Sequence, residues 1–296
     1  MTGVTTNEDR FDDLLYEKRG AVVTVTLNRP AVTNALSIRL STELEEAIRL
    51  VRDDDEVKVL VIRGAGGNFC SGDDLTEMGS GAWGDANGTM RRVRRYQDMA
   101  NALEELDKIT VAEVEGYCVG GGLEITMACD FVVCARSALW GMPEVDWGIT
   151  PGWGGTTRMA RLIGRRMTKE INMLGALHAA ERGVELGLFN RAVADEALRD
   201  ETQRLVDLVL MKNQQGLRQF KVMINRGVET DLYTAQGFEL MGAGLTAAVL
   251  GQWQVPDADG LHGWADYRSG DPDSKIRRRR RASRDFWTER DTGSAP

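Results

Sequence analysis

Between Leu14 and Leu27 apolar and polar positions alternate on either side of Arg19-Gly20, which predicts two short strands, Leu14 to Lys18 and Ala21 to Leu27, around a hairpin-type break. Asn28-Arg29-Pro30 then turns the chain. From Ser37 to Arg52 the period lengthens: Leu40, Leu44, Ala47, Ile48 and Val51 recur at helical spacing behind a serine, which predicts an amphipathic helix with a capped start. Val57 to Gly64 reads as a buried strand. Ala65 to Asp74 is a glycine-rich loop leading into Leu75-Thr76-Glu77-Met78, and Gly79 to Gly88, small and polar, is expected to be mobile. A helix from Met90 to Leu106, a strand from Ile109 to Glu115, a glycine-rich turn and helix within Gly116 to Ala128, and a strand from Phe131 to Ala135 follow. Strand, turn and helix thus recur in a ββα-like alternation, which defines an α/β class.

Beyond Gly154-Gly155 the pattern is helical, over Thr156 to Leu174, Ala179 to Leu186 and Glu196 to Met211. Asp257 to Asp273 is rich in Asp, Gly and Ser and reads as a loop before a last helix, Ile276 to Trp287, which carries the run Arg277 to Arg281. The expected division is an α/β core over 1–195 and a helical region over 196–296. No internal repeat of fixed period is present.

With 296 residues and 42% hydrophobic content the chain can bury a substantial core. A net charge of -8 argues against a surface that coats nucleic acid, while leaving room for a local basic pocket. Cys70, Cys118, Cys129 and Cys134 form no CxxC pair and have no histidine at metal-ligand spacing, so no metal site is expected and the thiols are read as reduced, in a cytoplasmic protein. No apolar run reaches the roughly 18 residues of a membrane span, and the start of the chain is acidic, so neither secretion nor membrane insertion is expected.

Two carboxylates stand out. Glu124 follows the triplet Gly120-Gly121-Gly122, and Glu144 follows Pro143 in Met142-Pro143-Glu144-Val145-Asp146-Trp147-Gly148. A glycine triplet running into an apolar stretch presents first-turn amides, which are unpaired and electropositive and can hold a developing oxyanion. Glu124, one turn beyond Gly121, can share a face with those donors. Other chemistries find little support: there is no GxGxxG, no phosphate-binding GxxxxGK[ST], no GxSxG elbow, and only His178 and His262, both read as structural or surface residues.

The residues from Tyr16 to Val193 resemble the crotonase (enoyl-CoA hydratase/isomerase) superfamily. The resemblance rests on Leu27-Asn28-Arg29-Pro30 with Asn34-Ala35-Leu36, on Phe69 to Leu75, on Glu115 to Glu124, on Ala128-Cys129-Asp130, on Pro143-Glu144 through Pro151 to Arg158, and on Gly187 to Asn190. It implies a spiral of ββα units followed by a helical C-terminal oligomerisation region that builds homotrimers, often paired into hexamers. It implies an acyl-CoA thioester as substrate, with coenzyme A part of that substrate and no separate cofactor. By the same resemblance the amides of Asp73 and Gly121 form the oxyanion hole. The turns carrying Arg29, Ala35, Leu36, Ser71, Asp74, Leu75 and Thr76 cradle the adenine and pantetheine, and Lys221 is the candidate for a CoA phosphate.

Water addition to an enoyl thioester puts negative charge on the carbonyl oxygen, so each aimed amide lowers the barrier, on the order of 3 to 4 kcal/mol. Two acid/base groups must also move protons. The resemblance gives Glu124 the water and Glu144 the Cα proton. Other reactions through the same enolate stay open: double-bond isomerisation, hydrolytic C–C cleavage, and hydroxycinnamoyl-CoA hydration and cleavage, the last favoured by Trp147 in a Trp-Gly-Ile-x-Pro-Gly string that is similar to those relatives. A reading of another class, an RNA-binding or scaffolding protein using the arginine run, is opposed by the intact glutamates. Trp140 and Trp153 flank the same segment as core or pocket aromatics, and Glu113 and Glu115 share one strand face.

Overall fold

The computed structural model describes residues 4–6, 10–249 and 271–292. The chain divides into two compact units, Met1–Thr202 and Gln203–Pro296.

In the first unit the alternating stretch closes as a hairpin of β2 (Leu14–Arg19) and β3 (Val22–Leu27), with β1 (Val4–Thr6) antiparallel to β2. The helix α1 (Ile38–Asp53) starts where Ser37 Oγ accepts the Leu40 amide, and it buries Leu40, Leu44, Ala47, Ile48 and Val51. It is the crossover that lets β4 (Val59–Gly64) pair in parallel with β3. The strands β5 (Ile109–Val114), β7 (Phe131–Ala135) and β10 (Arg191–Val193) extend the sheet in parallel, giving the order β1-β2-β3-β4-β5-β7-β10. Strands covered on both faces read as unbroken apolar runs, and β5 is buried along its whole length.

A second, small sheet holds β6 (Tyr117–Val119), β8 (Leu139–Gly141) and β9 (Leu177–Ala179). The isolated parallel pairs Leu36–Asp73 and Cys70–Cys118 prolong this stacking toward the start of the chain. Backbone bonds from Phe69 and Cys70 to Glu115 and Tyr117, and from Leu139 and Gly120 to Gly116 and Gly141, tie each coil to the next. The result is the spiral of ββα units that the sequence implied. Its successive coils bring residues 71–73, 120–124 and 144 to one end of the small sheet.

The remaining helices of this unit are α2 (Leu75–Gly79), α3 (Ala86–Glu104), α4 (Gly121–Met127), α5 (Thr157–Leu174) and α6 (Ala180–Leu186). The polar stretch expected to be mobile over Gly79 to Gly88 is shorter than its composition suggested. Asp85 caps α3 by accepting the Gly88 amide, so the helix starts four residues before Met90. The expected single helix over Thr156 to Leu174 is kinked at Gly164, whose φ of 78° is open to glycine.

α7 (Leu198–Leu210) leads into the second unit, which contains α8 (Gln214–Gly227), α9 (Leu232–Val249) and α10 (Lys275–Thr292). α8 and α9 pack on each other, leaving Phe220, Ile224, Val228, Leu232, Leu240 and Leu245 exposed. The arginine run lies on α10, where Arg281 pairs with Asp273 at 3.0 Å. Of the loop expected over Asp257 to Asp273, residues 257–270 lie outside the described residues, as does His262.

Candidate active site

Each candidate oxyanion amide follows a glycine with positive φ: Gly72 at 94° before Asp73, and Gly120 at 53° before Gly121. An L side chain is strained in these conformations, and they are what turn the next N–H outward. Leu36 fixes the first turn from both sides, donating to the Gly72 carbonyl at 2.8 Å and accepting from the Asp74 amide at 3.1 Å. The Asp73 N–H between them is thereby left on the opposite side. Gly121 opens α4, whose first-turn amides have no ladder partner. The turns touch, since a Cβ on Gly72 would stand 3.4 Å from the Gly121 nitrogen.

Glu124 is 1% exposed, and its Oε1 accepts the amides of Trp153 at 2.8 Å and Gly155 at 2.5 Å. Burial raises its pKa to about 8; the Gly155 bond opposes the shift, and the charges of Glu144 and Asp73 add to it. Glu144 sits on a 3-10 turn, Pro143–Trp147, begun by the fixed φ of proline. Its Oε2 is buried without a hydrogen-bond partner, and burial raises its pKa as well. The structure therefore brings Glu124, Glu144, Asp73 and Gly121 together, as their places on adjacent coils require.

One part of the site goes beyond the sequence reading, which had Trp153 as a core or pocket aromatic. Trp153, fully buried, holds Glu124 with its backbone while its indole stacks on Tyr96 of α3 at 4.2 Å between ring centroids. Its Nε1 and the Asp73 Oδ1 both lie 3.7 Å from the point that a Cβ on Gly121 would occupy. Neither atom meets a partner at full hydrogen-bond geometry, yet the indole N–H beside the carboxyl favours its ionised form. Burial outweighs it and lifts the Asp73 pKa to about 7, with Glu144 adding to the rise and Arg92 opposing it. The side chain of Asp73 thus borders the site beside its amide. The Gly-Gly dipeptide at 154–155 was the one available signal, because a carboxylate one coil away needs bare backbone to reach.

The residues expected to cradle CoA also meet. Arg29 Nη1 donates to the Ala35 carbonyl at 2.6 Å and to Asp74 Oδ2 at 2.9 Å, and Asp74 in turn caps α2 by accepting from the Thr76 and Glu77 amides. Leu36 and Ala35 are buried, whereas Ser71, Leu75 and Thr76 form an exposed rim. Trp147, a candidate pocket wall, is 62% exposed on its turn. Trp140 belongs to the core, its ring tilted against His178 at 4.9 Å and its Nε1 donating to the Ala179 carbonyl. Lys221 is buried on α8 in the second unit. Glu113 and Glu115 share a face as expected, and both pair with Arg199. Among the described residues no His/Cys/Asp/Glu group could hold a metal ion.

A spiral of ββα coils with two glycine-aimed amides beside a buried and a half-buried glutamate is the frame of an acyl-thioester enzyme of the crotonase type. The sequence profile of the enoyl-CoA hydratase/isomerase family matches residues 17–249, and the chain belongs to that family. It is 33% identical to a crotonyl-CoA hydratase of Syntrophomonas wolfei, over 82% of this chain and 92% of the relative. It is 34% identical to a short-chain-enoyl-CoA hydratase of Clostridium acetobutylicum, over 77% of this chain and 87% of the relative. The crystal structure of an enoyl-CoA hydratase from Bacillus anthracis superposes with a TM-score of 0.78 at 27% identity, covering 87% of this chain and 96% of the other.

Proposed function

We propose that this protein hydrates a trans-2-enoyl-CoA to the 3-hydroxyacyl-CoA, and catalyses the reverse dehydration, with coenzyme A entering only as part of the substrate. The observation that carries this reading is the convergence of the Asp73 and Gly121 amides with the Glu124 and Glu144 carboxyls on adjacent coils. In this mechanism the amides bind the thioester oxygen and stabilise the charge that builds there. Glu124, oriented by Trp153 and Gly155, takes a proton from the water that attacks Cβ. Glu144 delivers a proton to Cα, and the roles exchange in dehydration. Retention of both glutamates favours hydration over the isomerase and C–C cleavage alternatives. The exposed Trp147 gives no particular support to an aromatic acyl group.

The apolar residues left bare on α8 and α9 support a homotrimer, or a dimer of trimers, as the working form. Cytoplasmic location and independence of nucleic acid complete the proposal, in keeping with the net charge of -8 and the free cysteines. The test is a spectrophotometric assay with crotonyl-CoA and cinnamoyl-CoA, with the product identified by mass and the oligomer measured by sedimentation. Gain of one water by crotonyl-CoA supports the reading; a shifted double bond or a cleaved acyl chain refutes it.

A further inference from the structure

We infer that Asp73 serves this reaction with its side chain as well as its main chain: the neutral carboxyl donates a third hydrogen bond to the thioester oxygen, beside the Asp73 and Gly121 amides, and the ionised carboxylate disables the hole. The inference rests on the hydratase reading and identifies a further catalytic group within it.

The first ground is position. Asp73 Oδ1 lies 3.7 Å from the point where a Gly121 Cβ would stand, so the carboxyl borders the residue that carries the second oxyanion amide. A carboxylate ion there would repel the charge those amides stabilise, whereas a carboxylic acid would add a donor to them. A carboxylate ion whose Oδ1 is shut off from water is also costly in itself, and the neutral Trp153 N–H beside it offsets only part of that cost.

The second ground is Trp153. In this fully buried residue Nε1 is unpartnered and stands at the same distance from the Gly121 point as Asp73 Oδ1. An indole N–H can only donate, so it marks Oδ1 as the accepting oxygen of the acid and leaves Oδ2 to carry the proton. The surrounding charges agree. Glu144 on its turn and Glu124 on α4 disfavour a third anion, as do Tyr96 on α3 and Cys70 on the same turn were they to ionise; Arg92 on α3 opposes them. The pKa of Asp73, lifted to about 7 by burial, places the acid form within reach at neutral pH. No proton is transferred in the step. The O–H bond of Asp73 stays intact while its hydrogen bond to the oxygen strengthens and relaxes with the enolate.

The test compares wild type with Asp73→Asn and Asp73→Ala, using crotonyl-CoA from pH 5.5 to 9.5, with circular dichroism to establish folding. Glu124 and Glu144 titrate in both proteins, so the quantity that isolates Asp73 is the ratio of wild-type to Asp73→Asn kcat, which should fall as pH rises through about 7 to 8, where the wild-type donor becomes a repelling charge. Asp73→Asn keeps a neutral donor at every pH, so its kcat should drop only several-fold at pH 6 and lack the part of the pH dependence that Asp73 supplies. Asp73→Ala should lose about 100-fold in kcat at pH 6 with little change in KM. Infrared difference spectra should show protonated-carboxyl absorption that bleaches as pH rises through about 7 in wild type and is missing in Asp73→Asn, which keeps only the absorption of the glutamates titrating higher, a readout that requires no turnover. Superposable pH profiles for wild type and Asp73→Asn, or an Asp73→Ala protein with wild-type kcat at pH 6, would overturn the inference. Failure of every protein, wild type included, to hydrate any 2-enoyl-CoA would instead count against the hydratase reading, and the infrared band would still report on Asp73.

Discussion

Oε1 of Glu144 lies 2.8 Å from the point that a Cβ on Gly120 would occupy. A methyl group at 120 would therefore displace the carboxylate at the very turn that aims the Gly121 amide. The backbone there, at φ 53° and ψ -124°, is strained for an L residue even with space available. Gly120→Ala should cost about 1 to 3 kcal/mol of stability. Its kcat should fall by about 100-fold, as small misplacements of reacting groups do. Thermal melting and a crotonyl-CoA assay together check this; an alanine protein with full activity would show that the close approach has no role.

Removing either acid while keeping its shape should separate binding from chemistry. Glu124→Gln and Glu144→Gln should each lower kcat by about 100- to 10,000-fold with KM little changed. The double variant should lose less than the product of the two, because both groups serve one proton itinerary. Steady-state kinetics of the three proteins decide the matter.

The pH dependence of stability has a definite sign. Glu124 and Asp73 hold their protons to about pH 8 and about pH 7 in the fold, whereas an unfolded carboxyl releases its proton near pH 4. Over that window the folded chain binds more protons, so their contribution is fully present below about pH 4 and is lost as pH rises through the folded values. Glu124→Gln should therefore raise Tm by several degrees at pH 9 relative to wild type, and by less at pH 6. Calorimetric scans at the two pH values measure the difference. An equal change at both would place the carboxyl in an environment much like water.

Arg29 acts before any substrate arrives. It bonds the Ala35 carbonyl on its own turn and the Asp74 carboxylate on the next, so it clamps the two loops expected to receive CoA. Arg29→Ala should cost about 1 to 3 kcal/mol, the range for charge-assisted bonds in a half-buried setting. It should raise KM for crotonyl-CoA more than it lowers kcat. Arg29→Lys, which has no planar fork, should recover only part of the loss.

Much of this arrangement was readable from spacing. The strands of the larger sheet from Leu14 to Ala135 and the helix behind Ser37 follow period and capping, which are local properties, whereas β6 fell in a stretch read as turn and helix. The two glutamates and two amides follow motifs whose glycines have a steric reason. The early start of α3 at Ala86 depended on Asp85 as a cap in a segment whose composition reads as loop. Neighbours across coils were harder still. That Trp153 would hold Glu124 with its amide and face Asp73 with its ring depends on how the coils stack, and no periodicity carries that. The tryptophans divided for the same reason: Trp140 went to the core, Trp147 to solvent and Trp153 to the site.

In the proposed mechanism main-chain groups grip the thioester oxygen, so at position 73 only proline, which has no N–H, deletes the donor outright. Position 73 can consequently change its side chain over evolutionary time while keeping its amide in place. The coil thus separates a main-chain anchor from an adjustable neighbour, and in this protein the adjustable neighbour is an acid.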